Sequence, residues 1–238
     1  MLWSLPVVRA LGGGIMYLEA ATYTREKLTP DKWCGLDLIL KAQPYITDVL
    51  EWKREGTNYC LNDFRAHMFH ALRKPHTAQA AKEKHLTHWM ADAHGVPYSC
   101  MDEPWLTLDP NPVAKVIFSR AGPGRPAHNV YQSLAFPWHR VWEKYHKDAV
   151  FIGTDLEWEV FCAAQGNVPH YKTKDLFEAA SVIAGCELFV GNQSAPHVLA
   201  QGLFKRVILE VWEGGANSSC TRPGVLNVRS HNVELPDL

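Results

Sequence analysis

The chain lacks several features that define whole classes of protein. No apolar run reaches the ~18 residues of a membrane-spanning helix, and no basic stretch precedes the apolar residues at its start, which makes this segment a poor signal peptide. Lys plus Arg is 24 and Asp plus Glu is 25, so the basic excess of a broad nucleic-acid-binding face is missing. The 6 cysteines form no CxxC pair, which argues against a zinc knuckle and a disulfide scaffold. These absences predict a cytoplasmic protein with reduced thiols and no integral membrane segment.

Motifs of hydrolases, zinc proteases and P-loop nucleotidases are also missing. The glycines at 12–14 follow a helical segment rather than a strand, so they favour a turn over a dinucleotide loop. Histidines three residues apart, at 67 and 70 and at 85 and 88, share a helix face and raise the alternative of a metal site. No Cys, Asp or Glu recurs with them at ligand spacing, so we expect a solvated histidine-rich face and no metal.

The residues that are present predict an α/β fold. Between residues 115 and 211, short apolar strands alternate with amphipathic helices, which is typical of a parallel sheet covered on both faces. The predicted strands are 115–119, 149–153, 168–171, 188–190 and 206–211, and the predicted helices are 138–146, 156–165, 175–185 and one from Ser194 or Pro196 to 202. The first half is less regular, with helices at 2–11, 66–72 and 78–94, a strand at 15–18 and a linker at 104–112. We therefore expect an N-terminal domain at 1–110 and a C-terminal domain at 111–238.

Candidate ligand-binding residues follow the predicted strands, because ligands of parallel sheets bind at the carboxyl ends of the strands. The turn Gly191, Asn192, Gln193, Ser194 opens a helix whose amide groups can bind a diphosphate; the alternative is an ordinary helix cap by Ser194.

Charged residues near other strand ends add further candidates. Arg120 and Arg125 flank a Gly/Pro-rich loop and suit a pyrophosphate, or are solvated surface residues. Glu157 can accept ribose hydroxyls or stabilise the first turn of a helix, and Glu159 is close enough for either role.

Three more residues complete the candidate set. Lys172 and Thr173 end the third strand and contact a base or phosphates, or form a solvated turn. His197 donates to a phosphate or sugar, or is a partly buried helix histidine.

Two longer segments carry a resemblance to a known family. Leu5 to Leu11, and Asp175 to Ser194 with its "IAGC" before a strand and polar turn, resemble heptosyltransferase-like glycosyltransferases of family 9. Phe136-Pro137-Trp138 and the segment from Gly153 to Glu157 also fit, and the similarity is dense from about residue 115 to 212. The resemblance implies a GT-B-like fold of two Rossmann-like domains. It also implies metal-independent transfer of a sugar from a nucleotide-sugar donor, without a cofactor, to a glycolipid, a glycan or a modified nucleic acid.

The chain departs from that family pattern in three respects. The family turn reads Asp-Ser/Thr-Gly with a following His, whereas here it reads Gln193-Ser194-Ala195 and His197 stands one place early. In the family a strand and a glycine-acid loop precede the helix that begins near Leu5, and they are not in this sequence, so we expect an unpaired sheet edge. With no general base assigned, a non-catalytic nucleotide-binding module and another enzyme of nucleotide sugars, such as an epimerase, stay open.

Overall fold

Two parallel sheets organise the chain. The computed structural model describes residues 2–18, 33, 35–52, 56, 58–72, 84–122, 132–212 and 218–238. In the N-terminal half, helix α1 (Leu5–Ala10) follows a short 3-10 turn (Leu2–Ser4), and strand β1 (Gly14–Leu18) pairs in parallel with β2 (Ile46–Glu51). Helix α2 (Leu36–Lys41) lies between these strands, and α3 (Phe64–Leu72) and α4 (Leu86–His94) come after them.

The C-terminal sheet has five parallel strands: β3 (Val116–Ser119), β4 (Ala149–Phe151), β5 (Leu188–Asn192), β6 (Arg206–Glu210) and β7 (Val225–Val228). Their order across the sheet is β4-β3-β5-β6-β7. The helices between them are α5 (Trp138–Tyr145), α6 (Asp155–Gln165), α7 (Leu176–Gly185) and α8 (Ala195–Gly202). These elements confirm the α/β fold with parallel sheets flanked by helices.

Local sequence explains the helix boundaries. Thr154 and Glu157 form a reciprocal capping box at the start of α6, and Asp175 accepts the amide hydrogen of Glu178 at the start of α7. Gly166 ends α6 at φ +124°, a conformation that glycine adopts without strain. The predicted ends of these helices are therefore correct to within a residue or two.

One predicted strand is much shorter in the structure. The segment 168–171 pairs with β4 only through a single bridge between Phe151 and His170. Phe151 donates its amide to the carbonyl of Pro169 at 2.8 Å, and Tyr171 donates to the carbonyl of Phe151 at 2.9 Å. Pro169 has no amide hydrogen to donate, which limits pairing at this edge.

The two halves of the chain share a hydrophobic core. One cluster joins Leu5 and Ile39 of the first half to Ile117, Phe189 and Leu199 of the second. Helix α2 packs on α7, and the 3-10 turn at the start packs on α8.

The predicted linker at 104–112 is held against the second half. Trp105 and Leu106 donate their amides to the carbonyl of Gly202, and Asn111 donates to Ser181 at 2.8 Å. The division into domains at residue 110 stays a prediction.

Apolar side chains of the small sheet meet solvent. Ile15 and Tyr17 on β1 and Leu50 on β2 are exposed, whereas Met16 and Leu18 point into the core. Among the helices of the described residues, none combines the length and hydropathy that a membrane crossing requires.

Candidate functional site

The site lies where the strand order of the C-terminal sheet reverses. From β3 the chain moves outward to β4 and the bridge segment at 168–171, and then returns to β5 and continues through β6 and β7 on the other side. The crevice of such a sheet opens between the carboxyl ends of the two strands at the reversal, here β3 and β5. In the sheet register, Ser119 faces Gly191, and Asn192 faces Glu210. We call these strand ends and the residues that follow them the switch-point corner.

Asn192 and Gly191 hold the two central strand ends together. The fully buried Asn192 side chain accepts the Ala121 amide hydrogen at 3.0 Å and donates to the Ala121 carbonyl at 2.7 Å. A Cβ atom on Gly191 would lie 2.5 Å from the carbonyl oxygen of Ser119. The corner therefore needs a glycine at 191. The side-chain amide of Asn192 fixes the position at which the loop after β3 begins.

Gln193 fixes the chain after β6 in the same way. Its side-chain oxygen accepts the Trp212 amide hydrogen at 2.9 Å, and its side-chain nitrogen donates to the Ser218 hydroxyl at 2.9 Å. In this conformation both amide side chains of the predicted turn bind the protein itself.

Glu210 and Arg120 form the most buried ion pair of the corner. Arg120 donates to the carboxylate of Glu210 through two nitrogens, at 2.9 and 2.8 Å. The Ser133 amide and the Trp138 indole donate to the same carboxylate at 2.7 and 2.8 Å. The side chain of Glu210 is 0% exposed and that of Arg120 is 16% exposed. The predicted phosphate-binding arginine therefore has a buried carboxylate as its partner.

The first turn of α8 offers hydrogen-bond donors at the corner. Ser194 stands at the N-cap position but makes no side-chain capping bond, and its hydroxyl donates to the carbonyl of Asn192 at 3.2 Å. The first amide groups of a helix have no partner within the helix, and they attract anions. The exposed residue Ala195 begins the helix, so this end of α8 faces solvent.

Glu157 lies at the carboxyl end of β4. Its carboxylate accepts the Thr154 amide hydrogen at 2.8 Å as part of the capping box. Gly153 has φ +152°, and a Cβ atom added there would lie 3.0 Å from the same carboxylate. Residues with a side chain are therefore disfavoured at position 153. The half-buried Glu157 therefore has a helix-capping role in the structure and still borders solvent.

Lys172 and Thr173 follow the bridge segment, beside Glu157. The exposed Lys172 ammonium pairs with Asp155 at 2.7 Å, and this hydrogen bond lowers the pKa of the Asp155 carboxyl. Thr173 is half-buried. His170 approaches the Gly153 carbonyl at 3.0 Å, so the ends of β4 and of the bridge segment lie together.

His197 lies apart from the solvent-facing corner. It is fully buried, and its Nε2 lies 3.1 Å from the side-chain nitrogen of Gln201. The Trp3 ring packs edge-on against His197 and also against His85. Arg125, the remaining candidate, lies outside the described residues.

Burial keeps both of these histidines neutral. It lowers the pKa of His197 to about 3, with a further lowering by Arg222. It lowers the pKa of His85 to about 3, with smaller effects of His88 and His197. His85 Nδ1 accepts the Thr87 amide hydrogen, which leaves its Nε2 as the donor toward Cys220 at 3.7 Å.

Metal-binding side chains do not gather in the described part of the chain. No group of three or more His, Cys, Asp or Glu residues there has a geometry that holds a metal ion. The paired histidines make other contacts, because His85 caps α4 and His88 stacks on Tyr98 at 4.1 Å between ring centroids.

Glu210 was not among the residues predicted from the sequence. This residue ends a strand whose other inward positions are apolar, and a lone acid in an apolar strand is a signal, because a buried charge needs a partner. Its partners come from positions far away along the chain, which the local sequence does not show.

The comparisons with known proteins rest on structure. No protein-family model and no curated protein sequence matches the chain. Its structure is similar to the glycosyl transferase family 9 protein from Veillonella parvula DSM 2008, with a TM-score of 0.53 and 11% identity over 87% of this chain and 76% of that one. Two Escherichia coli structures follow. Heptosyltransferase WaaC with ADP has a TM-score of 0.49 at 12% identity, over 87% of this chain and 82% of that one. ADP-heptose lps heptosyltransferase II has a TM-score of 0.47 at 12% identity, over 95% and 89%. The chain thus has an α/β fold, with parallel sheets flanked by helices, that is similar to the fold of a family 9 glycosyltransferase.

Proposed function

We propose that the chain binds a nucleotide sugar at the switch-point corner and transfers the sugar to an acceptor without a metal ion. The observation that carries this proposal is the N-terminus of α8, which opens at the strand reversal with a serine that makes no side-chain cap to the amides of Ala195 and His197; Pro196 between them has no amide hydrogen. A diphosphate suits such a helix end, because its oxygens accept hydrogen bonds and its charge is attracted by the helix dipole. The similarity in fold to a family 9 glycosyltransferase supports the same assignment.

Each candidate residue other than the buried His197 then has a proposed role. The amides after Gly191 and the Ser194 hydroxyl bind the diphosphate, and Glu157 accepts the ribose hydroxyls. Lys172 and Thr173, which follow the bridge segment, contact the base or a phosphate, and Lys172 is held near the start of α6 by its ion pair with Asp155. Arg120 and Arg125 neutralise the diphosphate.

Transfer needs stabilisation of the leaving nucleoside diphosphate. Donors that are already oriented stabilise the charge that develops on it, and they do so best in a site shielded from water. The side chains of Asn192 and Gln193 help to orient these donors. Their hydrogen bonds to Ala121 and Trp212 fix the backbone that carries the donor groups. A base that removes the proton of the acceptor hydroxyl is not assigned, and the acceptor is a glycolipid, a glycan or a modified nucleic acid.

A second candidate function is nucleotide-sugar binding without transfer. It is favoured by the position of Trp3, which covers His197 and packs against Trp105 at 6.0 Å between ring centroids. The N-terminal half thus buries this face of α8 in a shared core. In this alternative the corner senses or carries a nucleotide sugar, and the general base is not needed.

A ligand panel tests binding. Thermal unfolding is followed with ADP, UDP, GDP and CDP, with the matching nucleosides as controls and with EDTA throughout. A ligand that binds only the folded state raises stability by about 2.7 kcal/mol at one hundred times its Kd. We expect at least one diphosphate to raise the Tm while its nucleoside does not; no shift with any of the four contradicts the proposal.

Matched variants test the placement. The two substitutions compared are Glu157→Gln and Glu159→Gln, at residues of the same helix. The carboxylate of Glu157 lies beside Gly153 at the end of β4. We expect E157Q to weaken binding of the chosen diphosphate about tenfold, which is ~1.4 kcal/mol, and E159Q to leave it unchanged. Equal effects of the two variants would reject the role of Glu157. Release of free sugar or formation of a glycoside from the matching nucleotide sugar then separates transfer from binding alone.

A further inference from the structure

The carboxylate of Glu210 is bound as proteins bind a phosphate group. It receives two parallel N–H bonds from Arg120, one from the Ser133 backbone and one from the Trp138 indole. A forked arginine and a backbone amide bind carboxylates and phosphates with the same geometry. The corner therefore already contains an anion, supplied by the chain itself.

The two members of this ion pair differ in freedom. Glu210 is fully buried at the end of an internal strand, between β5 and β7, so its carboxylate has no route to solvent. Arg120 is partly exposed, follows the last residue of β3, and lies 5.5 Å from the ring of Trp138. If the pair opens, Arg120 is the side chain that moves.

We propose that Glu210 is an internal anion that competes with the ligand diphosphate for Arg120 and so regulates the switch-point corner. This inference rests on the proposed function, because it concerns the same ligand. With Arg120 on Glu210, the corner binds a diphosphate through the α8 amides alone. With Arg120 turned to the ligand, Glu210 keeps its bonds from Ser133 and Trp138 but loses its counter-charge.

The exchange has a cost that sets the affinity. A buried carboxylate without its cation is strongly disfavoured. The binding free energy therefore gains only the difference between the Arg120–diphosphate contact and the Arg120–Glu210 contact that it replaces. Glu210 thereby weakens diphosphate binding and makes it depend on a second event that stabilises the open arrangement. Acceptor binding would provide such an event.

Calorimetry with inorganic pyrophosphate tests the proposal. Glu210→Gln keeps the size and one acceptor of the side chain but removes the competing charge. Its matched control is Glu187→Gln, at an exposed residue just ahead of β5, at the opposite end of the strands from Glu210. We expect E210Q to bind pyrophosphate at least tenfold more tightly than the wild type, E187Q to equal the wild type, and the double variant R120Q/E210Q to lose the gain. Unchanged or weaker binding by folded E210Q overturns the proposal.

The wild-type protein provides a measurement that does not depend on the fold of a variant. The indole N–H signal of Trp138 in an NMR spectrum reports on the carboxylate that accepts it. We expect this signal to shift when pyrophosphate is added to saturation, because Glu210 then loses Arg120. Binding with an unmoved Trp138 signal overturns the proposal.

The outcomes also separate this inference from the proposed function. If the wild type binds pyrophosphate and E210Q binds it no better, competition by Glu210 is wrong and the binding site stands. If only E210Q binds, the competition is confirmed and the wild-type corner is closed. If neither binds, both the site and the competition are rejected.

Discussion

Acid should destabilise the fold through the two histidines that lie beside Trp3. His85 and His197 have pKa values lowered to about 3 in the folded chain, mainly by burial, whereas an unfolded chain gives ~6.5. The unfolded state therefore binds protons first. Their contribution to stability is complete above about pH 6.5 and is lost as the pH falls from there toward about 3.

The size of the effect follows from this difference. Between pH 7.5 and 5.5 the unfolded imidazole goes from about one-tenth to about nine-tenths protonated, while the folded one stays neutral. Each histidine then lowers the free energy of unfolding by about 1.4 kcal/mol, and the two together by ~2.7 kcal/mol. The charged neighbours of these histidines act in the same direction as burial. His88 lowers the pKa of His85 further, and Arg222 lowers that of His197.

Urea unfolding at both pH values measures the effect. His197→Asn keeps a hydrogen-bond acceptor and removes the titrating ring. The control His231→Asn makes the same change at an exposed position. We expect H197N to lose about 1.4 kcal/mol of the difference between the two pH values, and H231N to keep it. A pH dependence of H197N equal to that of the wild type would show that the buried neutral state is not what makes this fold acid-sensitive.

Five further substitutions, two of them controls, test other parts of the fold by urea unfolding. Leu5→Ala, at a fully buried position in the core shared by both halves, should cost about 2–5 kcal/mol, and Leu156→Ala, on a side chain 48% exposed, less than ~0.5 kcal/mol; similar costs would disprove the shared core. Thr154→Ala removes a helix cap and should cost about 1 kcal/mol, whereas Ser194→Ala, which removes no cap, should cost a few tenths; an equal loss would mean that Ser194 caps α8. Gly185→Ala places a Cβ atom 2.3 Å from a backbone carbonyl oxygen and should cost about 1–3 kcal/mol; a neutral result would show that the neighbouring loop yields freely.

The sequence predicted the C-terminal sheet well because its signals are local. Apolar strands such as the one at Val116 and capped helices such as the one at Asp175 carry their own evidence over a few residues. The first half gave weaker signals. Helix α2 has only six residues and begins after Gly35 without a capping side chain, and β2 mixes apolar with acidic residues. Both elements, like β7, were therefore missed.

The sequence predicted the location of the candidate site but not the contacts within it. The strand ends and the opening of α8 follow from the periodicity, and the topology brings the β3 and β5 ends together as expected. Glu210 as the partner of Arg120, and Trp3 as the cover of His197, join residues from distant parts of the chain. Such contacts depend on the packing of the whole fold, and no local pattern predicts them.

The amide spectrum of the labelled protein tests the central claim most directly. The nucleoside diphosphate with the largest effect in the thermal panel is titrated into the protein. The account predicts the largest shifts at the amides of Gly191, Asn192, Ala195 and His197 at the opening of α8. Shifts concentrated instead at the other edge strand, β7 (Val225–Val228), or no shifts at saturation, would contradict the assignment of the switch-point corner as a diphosphate site.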